Sequence, residues 1–491
     1  MAATLLEGDR ATRGADHPDS RPAGVSFVGA VLQRLCLPVD IASLVVFRIA
    51  FGALMLSEIW RNFSYGWIRH YYVEPTFHFT YFLFDWVRPW PGGWMYLHFW
   101  ILGVLAACIV VGAMYRVTTT LFFLGISYVF LLDQTTYLNH MYLVCVISFL
   151  LIFVPCHRAF SVDAWVSPRL HSDVAPTWAL WVICFQIAVP YSYGGIAKLN
   201  ADWLQGEPVR MWLAYRAQTS AVAPILTSEW MTYLISYGGL LFDLAIIPLL
   251  LWRRTRVLAY LLALSFHLTN WYLFNIGIFP WMMIWATLLF FPPSWPRDVL
   301  RRAARLLPWR GTTAAEVPAT EPPAARRGPG RVETAVIGLL VLHVIFQALF
   351  PFRHLLYPGD VAWTEEGHRF AWRMKMRDKQ HTTTYTALVP STGESWELRP
   401  RDYLTETQDE EMEGRPDMVL QLTHLMADRL RQQGYQDVEV RVRALTSLNG
   451  RRRRDLIDPN ANLAAKERSV WPADWLLPLD EPLRRPPATR R

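Results

Sequence analysis

Residues 231–273 read MTYLISYGGLLFDLAIIPLLLWRRTRVLAYLLALSFHLTNWYL. Two apolar runs, 231–251 and 256–273, flank a basic break at Arg253-Arg254-Thr255-Arg256. Crossing bilayer hydrocarbon takes about 20 helical residues, and the first run has that length with one carboxylate, Asp243, inside it. Arginines gathered between such runs mark a loop retained on the cytoplasmic side. The stretch reads as two membrane helices joined by a short inner loop.

The pattern extends in both directions. Further apolar runs lie at about 41–59, 95–114, 117–132, 139–155, 178–195, 274–291 and 333–350. The pair covering 256–291 is nearly continuous and is also compatible with one span plus a re-entrant piece. With the N-terminus inside, the inner loops hold Arg116, Arg158, Arg169, the 253–256 break and the arginines of 292–332. The outer loops are poorer in positive charge. The long aromatic loop 60–94 is expected at the membrane–water boundary, where rings can be half wet. After residue 350 long apolar runs vanish and charge rises. Tyr385–Val389 and Val438–Ala444 have strand character. Pro416–Arg431 carries Val419, Leu422, Leu425, Met426 and Leu430 on one helical side. The expected fold is a multi-pass α-helical membrane bundle of about eight or nine spans, followed by a small extramembrane mixed α/β domain rich in strand. The expected divisions are a polar tail at 1–35, a transmembrane domain at 36–297, an Arg/Pro-rich cytoplasmic linker at 298–332, a last span at 333–350 and an exterior domain at 351–491. Residues 1–25 contain no apolar segment of the signal-peptide kind, so the first internal span would drive insertion.

Composition narrows the function. Apolar residues make up 53% and charged residues 18%, below the quarter or so usual in soluble domains. The net charge of +7 is carried by arginine in loops between apolar runs, which fits topology and lipid headgroups and excludes nucleic acid as the expected partner. Five cysteines, Cys36, Cys108, Cys145, Cys156 and Cys184, follow no zinc spacing and read as small apolar fillers. No metal is expected. There is no P-loop, HExxH or GxSxG motif.

Ionisable residues within apolar segments are functional candidates by default. Lys198, in Tyr191-Ser192-Tyr193-Gly194-Gly195-Ile196-Ala197-Lys198-Leu199-Asn200-Ala201-Asp202-Trp203, is the one lysine before residue 375. Arginine would snorkel equally well, but only lysine gives up its proton readily. The plain alternative is a lysine reaching the headgroups or pairing with Asp202. His140, at the start of the 139–155 span, and His267 with Asn270, late in the 256–273 span, fall at the same outer level as Lys198. That convergence suggests one site, and a structural interface histidine is the plain alternative for His140. Asp243 needs a partner inside the membrane, and Arg48 in the first span is the expected one, giving a structural ion pair. A transporter using Lys198 and His140 as a proton site is a second reading of the same residues, although no repeat is visible.

Several segments together resemble the vitamin K-dependent gamma-carboxylases and their bacterial relatives. They include Trp94-Met95-Tyr96-Leu97, Asn139-His140, Phe160-Ser161-Val162-Asp163, Lys198-Leu199-Asn200-Ala201-Asp202-Trp203, Phe266-His267, Leu273-Phe274-Asn275-Ile276-Gly277-Ile278-Phe279, Trp372-Arg373-Met374 and Ile457-Asp458-Pro459. The likeness covers about residues 35–480, and it identifies 36–297 with the horizontally transferred transmembrane (HTTM) domain. It implies an enzyme whose lysine, matching Lys198, deprotonates reduced vitamin K (the hydroquinone). Oxygenation to the epoxide then generates a strong base that removes a γ-proton from glutamate, and carbon dioxide is taken up. His140 would orient or stabilise the oxygenated intermediate, and Asn139, His267 and Asn270 would line the quinone pocket. The implied cofactors are reduced vitamin K, O2 and CO2, without metal. The implied partners are membrane lipid and a glutamate-containing peptide or protein. The chain departs from the animal pattern in three places. Ala197-Lys198 stands where animal members have two lysines, no cysteine lies after residue 184, and His368 and Phe370 stand where animals have tyrosines. Epoxidation without protein carboxylation is therefore the alternative activity.

Overall fold

The computed structural model describes residues 27–274, 276–306 and 330–483. The expected polar tail up to residue 26, and the linker over 307–329, lie outside the described residues. Helix α1 (Phe27–Leu35) leads through strand β1 (Pro38–Asp40) into α2 (Ala42–Ser64), α3 (Trp94–Val111), α4 (Tyr115–Leu132) and α5 (Asn139–Phe153). A short α6 (Val162–Val166) and strand β2 (Val174–Pro176) precede α7 (Thr177–Lys198). Then come α8 (Ala201–Leu204), α9 (Val209–Ala217), α10 (Ala223–Leu226), α11 (Glu229–Leu251), α12 (Arg256–Phe274), α13 (Phe279–Thr287), α14 (Trp295–Leu306) and α15 (Arg331–Leu349).

The expected spans other than 274–291 are helical over most of their length, and the count of eight or nine crossings is not confirmed. Among the described residues six helices are long and apolar enough: Ala42–Ser64, Trp94–Val111, Tyr115–Leu132, Thr177–Ala197, Glu229–Leu251 and Arg331–Leu356. Helix α5 stops at Phe153, before Pro155, and is too short by the same measure. The run 274–291 is broken at Gly277, whose φ of +57° belongs to the left-handed region that glycine adopts without a Cβ clash. Beyond the break lie α13 and a 3₁₀ turn at Leu288–Phe290. Helix α14 continues into the expected linker as far as Leu306.

Arg48 is fully buried and does not meet Asp243, contrary to expectation. Its guanidinium donates to the carbonyls of Cys156 (3.1 Å), Val110 (3.3 Å) and Phe160 (2.6 Å). These carbonyls lie at or beyond helix ends, where backbone acceptors have no intrahelical donor, so the arginine clamps α2 to the ends of α3 and α5. Gly112, at φ +68°, makes room: a Cβ there would stand 2.5 Å from Arg48 Nη1. None of the five cysteines is in a disulfide, and Cys145, Cys156 and Cys184 are buried.

The C-terminal domain contains α16 (Val361–Thr364), strands β3 (Lys379–Val389) and β4 (Glu394–Leu398), helices α17 (Glu406–Met412) and α18 (Pro416–Gln432), and strands β5 (Glu439–Leu448) and β6 (Arg454–Asp455). The sheet is antiparallel in the order β4-β3-β5-β6. Tyr385 pairs with Val442 and Ala387 with Val440, so one face carries buried side chains against which α18 packs Val419, Leu422, Met426 and Leu430. The aromatic loop does not simply rest at a water boundary. Phe79 is buried in the C-terminal core, and Tyr81 lies in the core of the bundle. Backbone and side chain of Thr80 pair with Gln421, and Gln408 donates to the carbonyl of Phe77 and to Asp133. The two parts of the chain are thus joined by buried hydrogen bonds.

Candidate functional site

Helices α7 and α11 run close together because two residues have no side chain. A Cβ on Gly195 would lie 2.6 Å from Leu244 Cδ2, and one on Gly194 would lie 3.1 Å from Asp243 Oδ2. At this approach the Lys198 ammonium donates to Asp243 Oδ2 at 2.5 Å and to the Gly194 carbonyl at 3.2 Å. The nitrogen also stands over the Trp203 ring, 5.2 Å from its centroid. Lys198 is 8% exposed and Asp243 6%. A lysine snorkelling to headgroups would show its amine to the outside, and this one does not. Asp202, the other expected partner, faces away and receives Arg451 of the C-terminal domain through both guanidinium nitrogens at 2.7 Å.

The pair opens into a cavity of about 600 Å³. Its walls include Tyr191, Trp212, Phe266, Phe279 and Met283, and its polar groups include His267 and Asn270. The Tyr191 hydroxyl and His267 Nε2 lie 2.6 Å apart, so ring and phenol hold each other in place. The C-terminal domain contributes Met374, Lys375, Asp378 and Gln380 to the same cavity. Lys198, His267 and Asn270 therefore share one space, as their common depth suggested. His140 is buried outside it. Its ring lies 6.3 Å from Phe279, a residue of the cavity wall that also lies 6.0 Å from His267. Asn139 lies apart: its side-chain oxygen accepts from the Tyr137 hydroxyl at 3.0 Å, and it borders a smaller recess with Arg369 and Arg373.

Residues 37–295 match the family model of the HTTM domain, and residues 332–482 match that of the vitamin K-dependent gamma-carboxylase lumenal domain. The chain belongs to the gamma-carboxylase family. No solved structure matches it.

In this gamma-carboxylase relative the two matched regions meet at the cavity. The lumenal domain also brings a charged cluster that sequence reasoning did not find. Glu365 is met by Arg377 at 2.6 Å and Lys379 at 2.9 Å. Burial by itself would raise the Glu365 carboxyl, but Arg377 and Lys379 outweigh it and hold it well below the usual range. Burial pushes the Lys379 ammonium down to about 8, against the opposite pull of Glu365. Lys375 borders this cluster and the large cavity. Tyr191 and Trp203 were within the quoted Lys198 segment and could have been found there. The turn bringing Lys375 and Asp378 over the bundle has no local sequence signal. Among the described residues no group of His, Cys, Asp and Glu is arranged to hold a metal.

Proposed function

We propose that the protein is a membrane-embedded, carboxylase-like enzyme that couples oxygenation of reduced vitamin K to carboxylation of peptidyl glutamate. The observation that carries this is a buried amine, the Lys198–Asp243 pair, at the wall of an otherwise aromatic cavity formed by both matched regions. A ring-shaped apolar quinol with hydroxyls at its edge fits such a space in volume and chemistry: rings on Phe266, Phe279 and Trp212, and polar groups at Lys198, His267 and Asn270. When bound with O2, reduced vitamin K supplies the strong base that takes a γ-proton from glutamate, and CO2 adds to the resulting carbon.

The chain's own residues do the rest. Lys198 Nζ receives a hydroxyl proton. Tyr191 and His267, fixed on each other, orient the ring edge. The apolar walls keep out water that would quench the base. His140 packs near Phe279, a residue of the cavity wall, and in this reading helps to orient the bound quinol. Asn139 borders the recess beside Arg369, on the side where a glutamate-containing peptide would approach. In this reading the N-terminus is cytoplasmic and the lumenal domain lies on the exterior face, with bilayer lipid around the helices.

The test uses full-length protein in liposomes with reduced vitamin K and a glutamate-rich peptide. Epoxide and a peptide heavier by one carboxyl group are expected, and Lys198→Ala abolishes both. Epoxide without the mass gain replaces the proposal with an epoxidase. No epoxide from wild-type protein refutes it.

A further inference from the structure

A lysine in an ion pair is an ammonium ion, which has no lone pair for another proton. Lys198 is in that situation, because the Asp243 carboxylate lies 2.5 Å from Nζ with both side chains buried. We infer that Asp243 is the positioning residue that stores the proton Lys198 must release, so that carboxylate and amine act as one basic unit. This rests on the function proposed above.

Three observations support it. First, Asp243 Oδ2 is on the spot. The other acceptor of Nζ, the Gly194 carbonyl at 3.2 Å, is an amide oxygen and far too weak a base to keep a proton. Second, the pair is built into the backbone. The missing side chains of Gly194 and Gly195 let α7 and α11 approach, and a Cβ at Gly194 would reach Oδ2 itself. Third, charge balances. The Nζ–H bond to Asp243 breaks and an Oδ2–H bond forms. The hydroxyl O–H of the substrate breaks and a new Nζ–H bond forms. The site goes from ammonium and carboxylate to ammonium, carboxylic acid and a bound oxyanion. Its sum is zero before and after, so no net charge enters a medium where isolated charge costs many kcal/mol. Arg48, the only partner expected for Asp243 from sequence, is held elsewhere by three carbonyls.

Other titratable or charged groups face this cavity: Tyr191 from α7, His267 from α12, Tyr215 and Arg216 from α9, and Lys375 and Asp378 from the lumenal domain. Tyr191 and His267 are bonded to each other. Substitution of Asp243 alone leaves all six in place, so a change confined to that variant reports the pair.

Only four lysines occur in the chain, Lys198, Lys375, Lys379 and Lys466, which makes amine reactivity measurable residue by residue. Full-length wild-type, Asp243→Asn and Asp243→Glu proteins in liposomes are reductively methylated at neutral pH without any quinone. Peptide mass spectrometry reads Lys198 against Lys466. Asp243→Asn is expected to raise Lys198 methylation about tenfold, because its partner carboxylate is gone, and Asp243→Glu keeps it near wild type. Unchanged methylation in the Asn variant overturns the inference. Epoxide formation against pH is the second readout. The acid limb moves to higher pH by about one unit or more in Asp243→Asn, since the amine must now lose its own proton to the medium, and Asp243→Glu restores it. A lower rate with the limb in place marks a merely structural carboxylate and overturns the inference. Wild-type protein that makes no epoxide defeats the proposed function, and methylation then decides the pairing alone.

Discussion

Arg451→Ala tests how firmly the lumenal domain is held over the amine. Arg451 Nη1 and Nη2 grip Asp202 in a two-pronged bridge, both at 2.7 Å, while Nε donates to the Glu481 carbonyl at 2.9 Å. Asn449 adds a third bond to Asp202, also 2.7 Å. The two side chains of the bridge are 8% and 13% exposed, so solvent screens them little. Removing one partner of a buried pair costs about 3 kcal/mol, because the other charge stays behind without compensation. Asn449 remains, which places this site at the low end of that range. At about 1.4 kcal/mol per factor of ten, the undocked population rises about a hundredfold. Hydrogen exchange of full-length protein in detergent reads this directly: amides of Ala201–Leu204 and of 449–455 should exchange faster by about that factor. Arg451→Lys should recover only part of the protection, since an ammonium cannot form the fork. Exchange equal to wild type in both segments would show that apolar packing alone seats the domain and that the bridge holds nothing in place.

Arg48→Met should lower the thermal midpoint of the purified protein by an amount equivalent to about 3 kcal/mol, since three buried carbonyls lose their donor. Gly112→Ala, which would press a methyl group against the same guanidinium, should act in the same direction by about 2 kcal/mol; an unchanged midpoint in both would show that the arginine does not clamp these helices. Glu365, held below its ordinary 4.5, contributes stability that is present above that value and lost as pH falls through its folded value. Melting curves from pH 6 down to about 3 should therefore be flatter for Glu365→Gln than for wild type, and parallel curves would contradict the assignment. Tyr191→Phe should cut epoxide formation about tenfold without changing the melting midpoint, since it frees the His267 ring from its anchor; an equal fall in stability would make the tyrosine a packing residue.

Periodicity and length made the helices legible, because a 20-residue apolar run has few alternatives. Two of the expected spans depart locally from a long straight helix. Gly277 has a positive φ that composition does not announce, and Pro155 bounds α5. Partner choice was less legible. Arg48 and Asp243 were paired by charge alone, yet carbonyls at helix ends also accept from a guanidinium, and three of them do so here. Asp243 then went to the nearest amine that two glycines brought within reach. Depth along a helix correctly grouped Lys198, His267 and Asn270. His140, at the same depth, packs near Phe279 and is not in the cavity lining, because depth along a helix does not fix the direction a ring takes.

The roof of the cavity bears on why the two matched regions share one chain. The membrane region alone supplies the amine, its carboxylate and the aromatic walls, but the cavity is bounded also by Met374, Lys375, Asp378 and Gln380. Asp202 lies four residues after Lys198 and carries the bridge to Arg451. A displacement of the lumenal domain is therefore transmitted through α8 to the end of α7, where the amine sits. Exclusion of water and placement of the amine are then a joint property of both regions.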